Sequence, residues 1–259
     1  MARAGIVFLM YHELELPART LCHSEPGYVR YILSVEAFRS QMEWLVQNGW
    51  RGLSVGEALS YPAGRSVAIT FDDGSETDVI AVAPLLKENG LNATFYVTAG
   101  FVGNSGYMSS AQVRELHALG FEIGCHSMTH AYLDDLDQAA LRREIIDAGK
   151  KLEDIVGAKI EHFSCPGGRY NDRTPHLVRE AGYRSMATSG VHVNSSATNP
   201  YCLGRVAILR DTSVDAFGRF CSADGLWQMR LGETVRGAAK RAMGNTVYDR
   251  FRGFLLGQR

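Results

Sequence analysis

Short apolar runs and amphipathic stretches alternate along this chain. Residues 6–11 read Ile-Val-Phe-Leu-Met-Tyr, a run that suits a strand covered on both faces. A polar stretch with Pro17, Pro26 and Gly27 follows, long enough for a functional loop. Ser34 then precedes an apolar stripe at Val35, Phe38, Met42, Leu45 and Val46, a helix stopped by Asn48-Gly49. The same pattern predicts strands over 66–71, 93–97, 121–125, 160–164, 184–187 and 205–209. It predicts helices over 79–88, from Ser109 or Ser110 to 119, and over 137–156, 174–181 and 214–220. Strands alternating with helices imply a parallel sheet covered by helices, an α/β architecture. Strand number and length favour a closed or distorted barrel over an open sheet.

Composition narrows the class. The 259 residues are 46% hydrophobic and 21% charged, which excludes disorder, collagen and coiled coil. A chain of this size buries about three quarters of its unfolded surface and needs no disulfide or metal merely to fold. Lys and Arg number 27 against 28 Asp and Glu, a net of -1, so the positive field that nucleic-acid binding needs is missing. Five scattered cysteines (Cys22, Cys125, Cys165, Cys202, Cys221) without C-x-x-C argue against a disulfide framework or a Cys-type zinc site. The opening apolar run is too short for a signal-peptide core or a membrane span, and a cytoplasmic setting is expected. From about Trp227 the chain turns basic, with Arg230, Arg236, Lys240, Arg241, Arg250, Arg252 and Arg259 against Glu233 and Asp249. Residues 1–226 are thus read as the barrel and 227–259 as a basic amphipathic helical tail. Such a tail either packs on the barrel or lies peripherally on an anionic membrane.

Candidate chemistry lies at two strand ends. Thr70-Phe71-Asp72-Asp73-Gly74 sets two adjacent carboxylates where an apolar strand stops, a costly placement unless a cation or hydrogen bonds compensate it. That rim is where parallel α/β folds put their chemistry. Alone, the segment also fits a turn and a helix cap. His126-Ser127-Met128-Thr129-His130 follows the strand at 121–125, and its i, i+4 spacing puts two imidazoles on one side of a helical turn. Two histidines and one carboxylate make a three-ligand set for zinc or a related divalent ion, with positions left for water and substrate.

Together these residues resemble the polysaccharide deacetylases, the NodB-homology or carbohydrate esterase family 4 enzymes. The family's T-F-D-D-G stands at residues 70–74 and its H-[S/T]-x-x-H at 126–130, and the similarity covers roughly residues 5–220. It implies a distorted (β/α)7 barrel. It also implies a divalent metal on Asp73, His126 and His130, with Asp72 as general base. Zinc is the first expectation, Co2+, Ni2+ or Mn2+ the alternatives.

The departures carry their own expectations. The family's third motif has an Arg before a Pro, whereas Phe163-Ser164-Cys165-Pro166-Gly167-Gly168-Arg169-Tyr170 puts Ser164 there, closer to the form in exopolysaccharide (poly-N-acetylglucosamine) deacetylases. Arg205, near the last strand, is the candidate substitute. Pro166, Gly167, Gly168, Arg169, Tyr170 and Arg205 make up the candidate substrate-binding set. The late L-x-H strand that supplies the family's catalytic acid has no match, because Leu209-Arg210-Asp211 carries Arg instead. Leu9-Met10-Tyr11-His12-Glu13 resembles the start of the exopolysaccharide branch, in which that strand sits at the front. His12 is therefore expected as the acid of a circularly permuted barrel, since a strand moved to the front still closes in the same place.

The expected reaction is hydrolysis of the acetamide of an N-acetylated amino sugar, in a polysaccharide, another glycan or a glycolipid. A metal site of this kind supplies an acidified water and a polarised carbonyl, with an amide N–H near Tyr170 or Gly168 as candidate oxyanion donor. Asp72 would take the proton and His12 protonate the departing amine. Competing readings are a deacetylase or deformylase of lipid-linked or small amino sugars, a cyclic-amide hydrolase, and an inactive glycan-binding barrel.

Overall fold

The structure, a computed structural model, describes residues 5–60, 64–227 and 229–230. The basic tail expected from Trp227 onward lies almost wholly outside the described residues. Eight parallel strands make one curled sheet: β1 (Val7–Tyr11), β4 (Arg51–Leu53), β5 (Ser66–Phe71), β6 (Thr94–Val97), β7 (Glu122–Cys125), β8 (His162–Ser164), β9 (Ser185–Ala187) and β10 (Val206–Ala207). Their order is β10-β1-β5-β6-β7-β8-β9, with β4 paired to β5. The far edge curls back, because Ala187 of β9 bridges Leu203, three residues short of Val206. A distorted barrel results, and its first strand lies between the last strand and β5. A small parallel pair, β2 (Leu14–Glu15) with β3 (Leu33–Ser34), brackets the polar loop.

Alternation along the strands explains the two layers of core. Tyr11, Phe71 and Phe95 stand in register on neighbouring strands and stack outward, at 5.2 and 5.3 Å between ring centroids, beneath the helix Val35–Gln47. Phe8, Ala68, Tyr96 and Leu203, on the opposite face, form the smaller cluster inside the curl. Space there is tight: a Cβ on Gly124 would sit 2.4 Å from the Tyr96 ring. Local sequence sets the helix ends. The Ser34 and Ser213 side chains accept from Ala37 N and Ala216 N, Ser109 and Gln112 close a capping box, and Gly157 ends its helix in the left-handed region.

Two helices differ from the periodic pattern. The predicted helix over 79–88 opens with a π turn, Asp78–Val82, before Ala83–Glu88. The one over 137–156 is Gln138–Arg142, a π turn Arg143–Asp147 and Ala148–Val156. The five cysteines are all unpaired. Among the described residues no helix is long and apolar enough to cross a membrane.

Candidate metal and catalytic centre

The centre forms where β5 and β7 stop. Thr70 and Asp72 share the inward parity of Ala68, so the Asp72 side chain enters the mouth of the barrel, and its N–H donates to Tyr11 O at 3.0 Å. Asp73 and Gly74 then take φ of 79° and 83°. This left-handed bend turns Asp73 toward the same mouth rather than the opposite face. His126 leaves β7 with its N–H on Val97 O at 2.9 Å. The expected helical turn between His126 and His130 is not present. Residues 126–130 are a loop, with Ser127 and His130 at φ 67° and 62°. The spacing is right and the conformation is not.

Asp73 Oδ1 lies 3.5 Å from His126 Nε2 and 3.3 Å from His130 Nε2. One ligand atom from each of the three residues falls within 4.8 Å of the others. The same Oδ1 is buried without a hydrogen-bond partner, the condition of an oxygen built to meet a cation. His126 Nδ1 is 2.9 Å from Ser164 O. A carbonyl only accepts, so Nδ1 carries the hydrogen and Nε2 presents its lone pair. Burial pushes the His126 imidazole down to about 4 against the opposing charge of Asp72, so the ring is neutral, the form that can ligate a metal. The donor set, one carboxylate and two imidazoles, fits zinc or a similar divalent ion.

Asp72 is held differently. Arg205 grips it with both ends of the guanidinium, Nη1 to Oδ1 at 2.7 Å and Nη2 to Oδ2 at 2.8 Å. The Arg205 Nη2 also donates to Ser164 Oγ at 2.8 Å, and its Nε to Thr188 O at 2.9 Å. Burial would raise the Asp72 carboxyl, but Arg205 and then His126 overcome it and hold the group well below the usual carboxylate range. His12, directly after β1, has its ring 5.0 Å from that of Tyr31 and a buried Nδ1 without a partner. Burial lowers its pKa, while Asp73 and Asp72 work against that.

A polysaccharide deacetylase family pattern matches residues 60–186, which include both aspartates and both histidines. The chain carries a polysaccharide deacetylase domain. YxkH of Bacillus subtilis is 29% identical over 223 residues, covering 84% of this chain and 76% of that protein. The poly-β-1,6-N-acetyl-D-glucosamine N-deacetylase of Staphylococcus aureus is 27% identical over 203 residues, 70% of this chain and 69% of that one. The fold matches the Streptococcus pyogenes deacetylase PplD, solved with acetate, at a TM-score of 0.75 and 24% identity over 84% of this chain and 98% of that one. His12 and Arg205 lie on either side of the matched residues.

Around this centre the deacetylase domain places the other predicted residues unevenly. Arg205, grouped by sequence with the substrate-binding residues, is 1% exposed and directs its donors at Asp72, Ser164 and Thr188, so it backs the carboxylate instead of facing a ligand. Pro166 and Arg169 are buried, and the Arg169 guanidinium lies 3.8 Å over the Tyr132 ring. Gly167 is exposed, while Gly168 and Tyr170 are half-buried. The Gly168 N–H, one of two candidate oxyanion donors, is directed to Cys165 O at 3.0 Å.

Sequence reasoning missed Tyr28, whose hydroxyl donates to Asp73 Oδ2 at 3.4 Å from the polar loop. That loop is fastened by Arg19, which binds Glu13, Glu76 Oε1 (2.7 Å) and Gly106 O (2.7 Å). It missed Asp78 too, which is 1% exposed with neither oxygen hydrogen-bonded. Burial, then the charges of Asp73 and Glu13, push the Asp78 carboxyl well above its usual range, so it folds as a neutral acid. Folding thus takes up a proton, and this site's stability contribution falls as pH climbs from the unfolded value near 4 toward the raised one. Asp78→Asn is expected to raise Tm at pH 8 by about 2–6 °C and to change it little at pH 4. Thermal melts at both values check this; an equal shift at each would exonerate the carboxyl.

Proposed function

We propose that the chain is a metal-dependent N-deacetylase acting on N-acetylated amino sugars within a polysaccharide. The observation that carries this is the convergence of Asp73 Oδ1, His126 Nε2 and His130 Nε2, with a separately held carboxylate alongside. The Staphylococcus aureus relative, by its name a poly-β-1,6-N-acetyl-D-glucosamine N-deacetylase, favours polymeric N-acetylglucosamine as the substrate.

Asp73, His126 and His130 would hold a divalent ion, zinc first. The chemistry such an ion supplies is Lewis acidity: a water acidified toward neutral pH and a polarised acetyl carbonyl. Asp72 is ionised throughout the ordinary pH range, and Arg205 fixes the plane of its oxygens. A carboxylate held this low is a weak base, so it contributes an aimed acceptor lone pair and brief custody of a proton. His12, which follows β1 as Asp72 follows the paired β5, is the donor to the departing nitrogen, which leaves poorly unless protonated.

The test is direct. Purified protein is expected to carry about one divalent ion per chain and to release acetate from β-1,6-linked N-acetylglucosamine oligomers. Chelation should lower release by at least about 100-fold, and metal should restore it. Metal-replete protein that frees no acetate from N-acetylated oligosaccharides overturns the proposal.

A further inference from the structure

The loop between His126 and His130 must aim two imidazoles at one point without helical hydrogen bonds, through two non-glycine residues in the left-handed region. Its carbonyls are tied on one side: Ala99 N–H donates to Ser127 O at 2.9 Å and Gly100 N–H to Met128 O at 2.8 Å. On the other side three of its donors meet one carboxylate, while the His130 N–H donates within the loop to Ser127 Oγ at 3.0 Å. Met128 N–H (2.9 Å), Thr129 N–H (2.8 Å) and the Thr129 hydroxyl (2.6 Å) donate to Glu144. Glu144 is 6% exposed and belongs to the π turn Arg143–Asp147. It carries no role in the reaction described above, and no salt bridge to it is found among the described residues.

A carboxylate suits this task because two oxygens can accept several donors at once, and the charge strengthens each bond. We propose that Glu144 is a positioning residue of the metal centre. By gathering three donors of Met128 and Thr129, between the two histidines, it sets the spacing of the imidazoles before an ion arrives. Outer partners that orient ligands in this way commonly govern metal affinity. The inference rests on Asp73, His126 and His130 being a metal site.

The experiment measures Zn2+ affinity of the full chain by competition with a chromophoric chelator, for wild type, Glu144→Ala and Glu144→Gln, with far-UV circular dichroism as the control for folding. Glu144→Ala is expected to weaken Zn2+ binding about 10- to 100-fold. Glutamine can turn its oxygen to the two amides and its NH2 to the Thr129 hydroxyl, and should stay within about fivefold of wild type. A folded alanine variant with affinity within about threefold of wild type overturns the proposal, as does a glutamine variant no better than alanine. If the alanine variant does not fold, Glu144→Asp takes its place: the charge stays but the reach shortens, and unchanged Zn2+ affinity is the overturning result. Wild-type protein that fails to bind Zn2+ is a different failure, one of the metal site itself.

Discussion

Replacing Asp72 by asparagine is expected to cut acetate release by about 100- to 10,000-fold while the bound metal remains. Asparagine keeps the shape of the side chain but cannot take up a proton. The proposed ligand set does not include Asp72, whose Oδ2 lies 3.8 Å from His126 Nε2. Metal content by elemental analysis and turnover by acetate assay therefore separate cleanly. Undiminished turnover would remove Asp72 from the reaction. Loss of metal together with turnover would mean that the second carboxylate is a ligand after all.

The second large effect concerns the partner of that carboxylate. Arg205→Met is expected to destabilise the fold by about 3–5 kcal/mol at pH 7, since it strands a buried negative charge. The direction with pH follows from the pair. In the wild type, Arg205 holds the Asp72 carboxyl below its usual range, so the pair's contribution is fully present above the unfolded value near 4 and fades only as pH falls through the depressed one. In the variant, burial, the largest influence, is opposed only by the weaker pull of His126 and His12 and raises the carboxyl, so stability declines as pH climbs from about 4. Urea unfolding at pH 7 and pH 4 should show a deficit that shrinks in acid. A deficit of the same size at both would point to lost packing, including the guanidinium's place over the Tyr96 ring, 5.6 Å away.

Much of this centre is readable in the chain because chemistry interrupts apolar runs. The strand over 66–71 ends in two carboxylates, and the strand over 121–125 ends in a histidine. What was not readable has physical reasons. The i, i+4 spacing of His126 and His130 does not encode φ, and Ser127 gives no glycine signal for its left-handed turn. The strand Arg51–Leu53 is three residues long, with a glycine at its centre and an exposed arginine at its start. A π turn slips the helical period by one residue, too little for the apolar stripe over 137–156 to register. Arg205 was noticed, but only coordinates separate a guanidinium that meets substrate from one sealed behind a carboxylate. Glu144 did leave a trace: it sits beside Ile145 and three residues after Leu141, on the apolar stripe, where an acid is out of place.

The order of strands in the sheet has a consequence for synthesis. The guanidinium that neutralises Asp72 is added 133 residues after it, and the strand Val206–Ala207 that docks beside β1 emerges just behind. A growing chain therefore carries an unanswered anion at the heart of an open curl for about half of its translation. That charge resists early collapse, and the arrival of Arg205 completes the seam and the reactive mouth in a single late step.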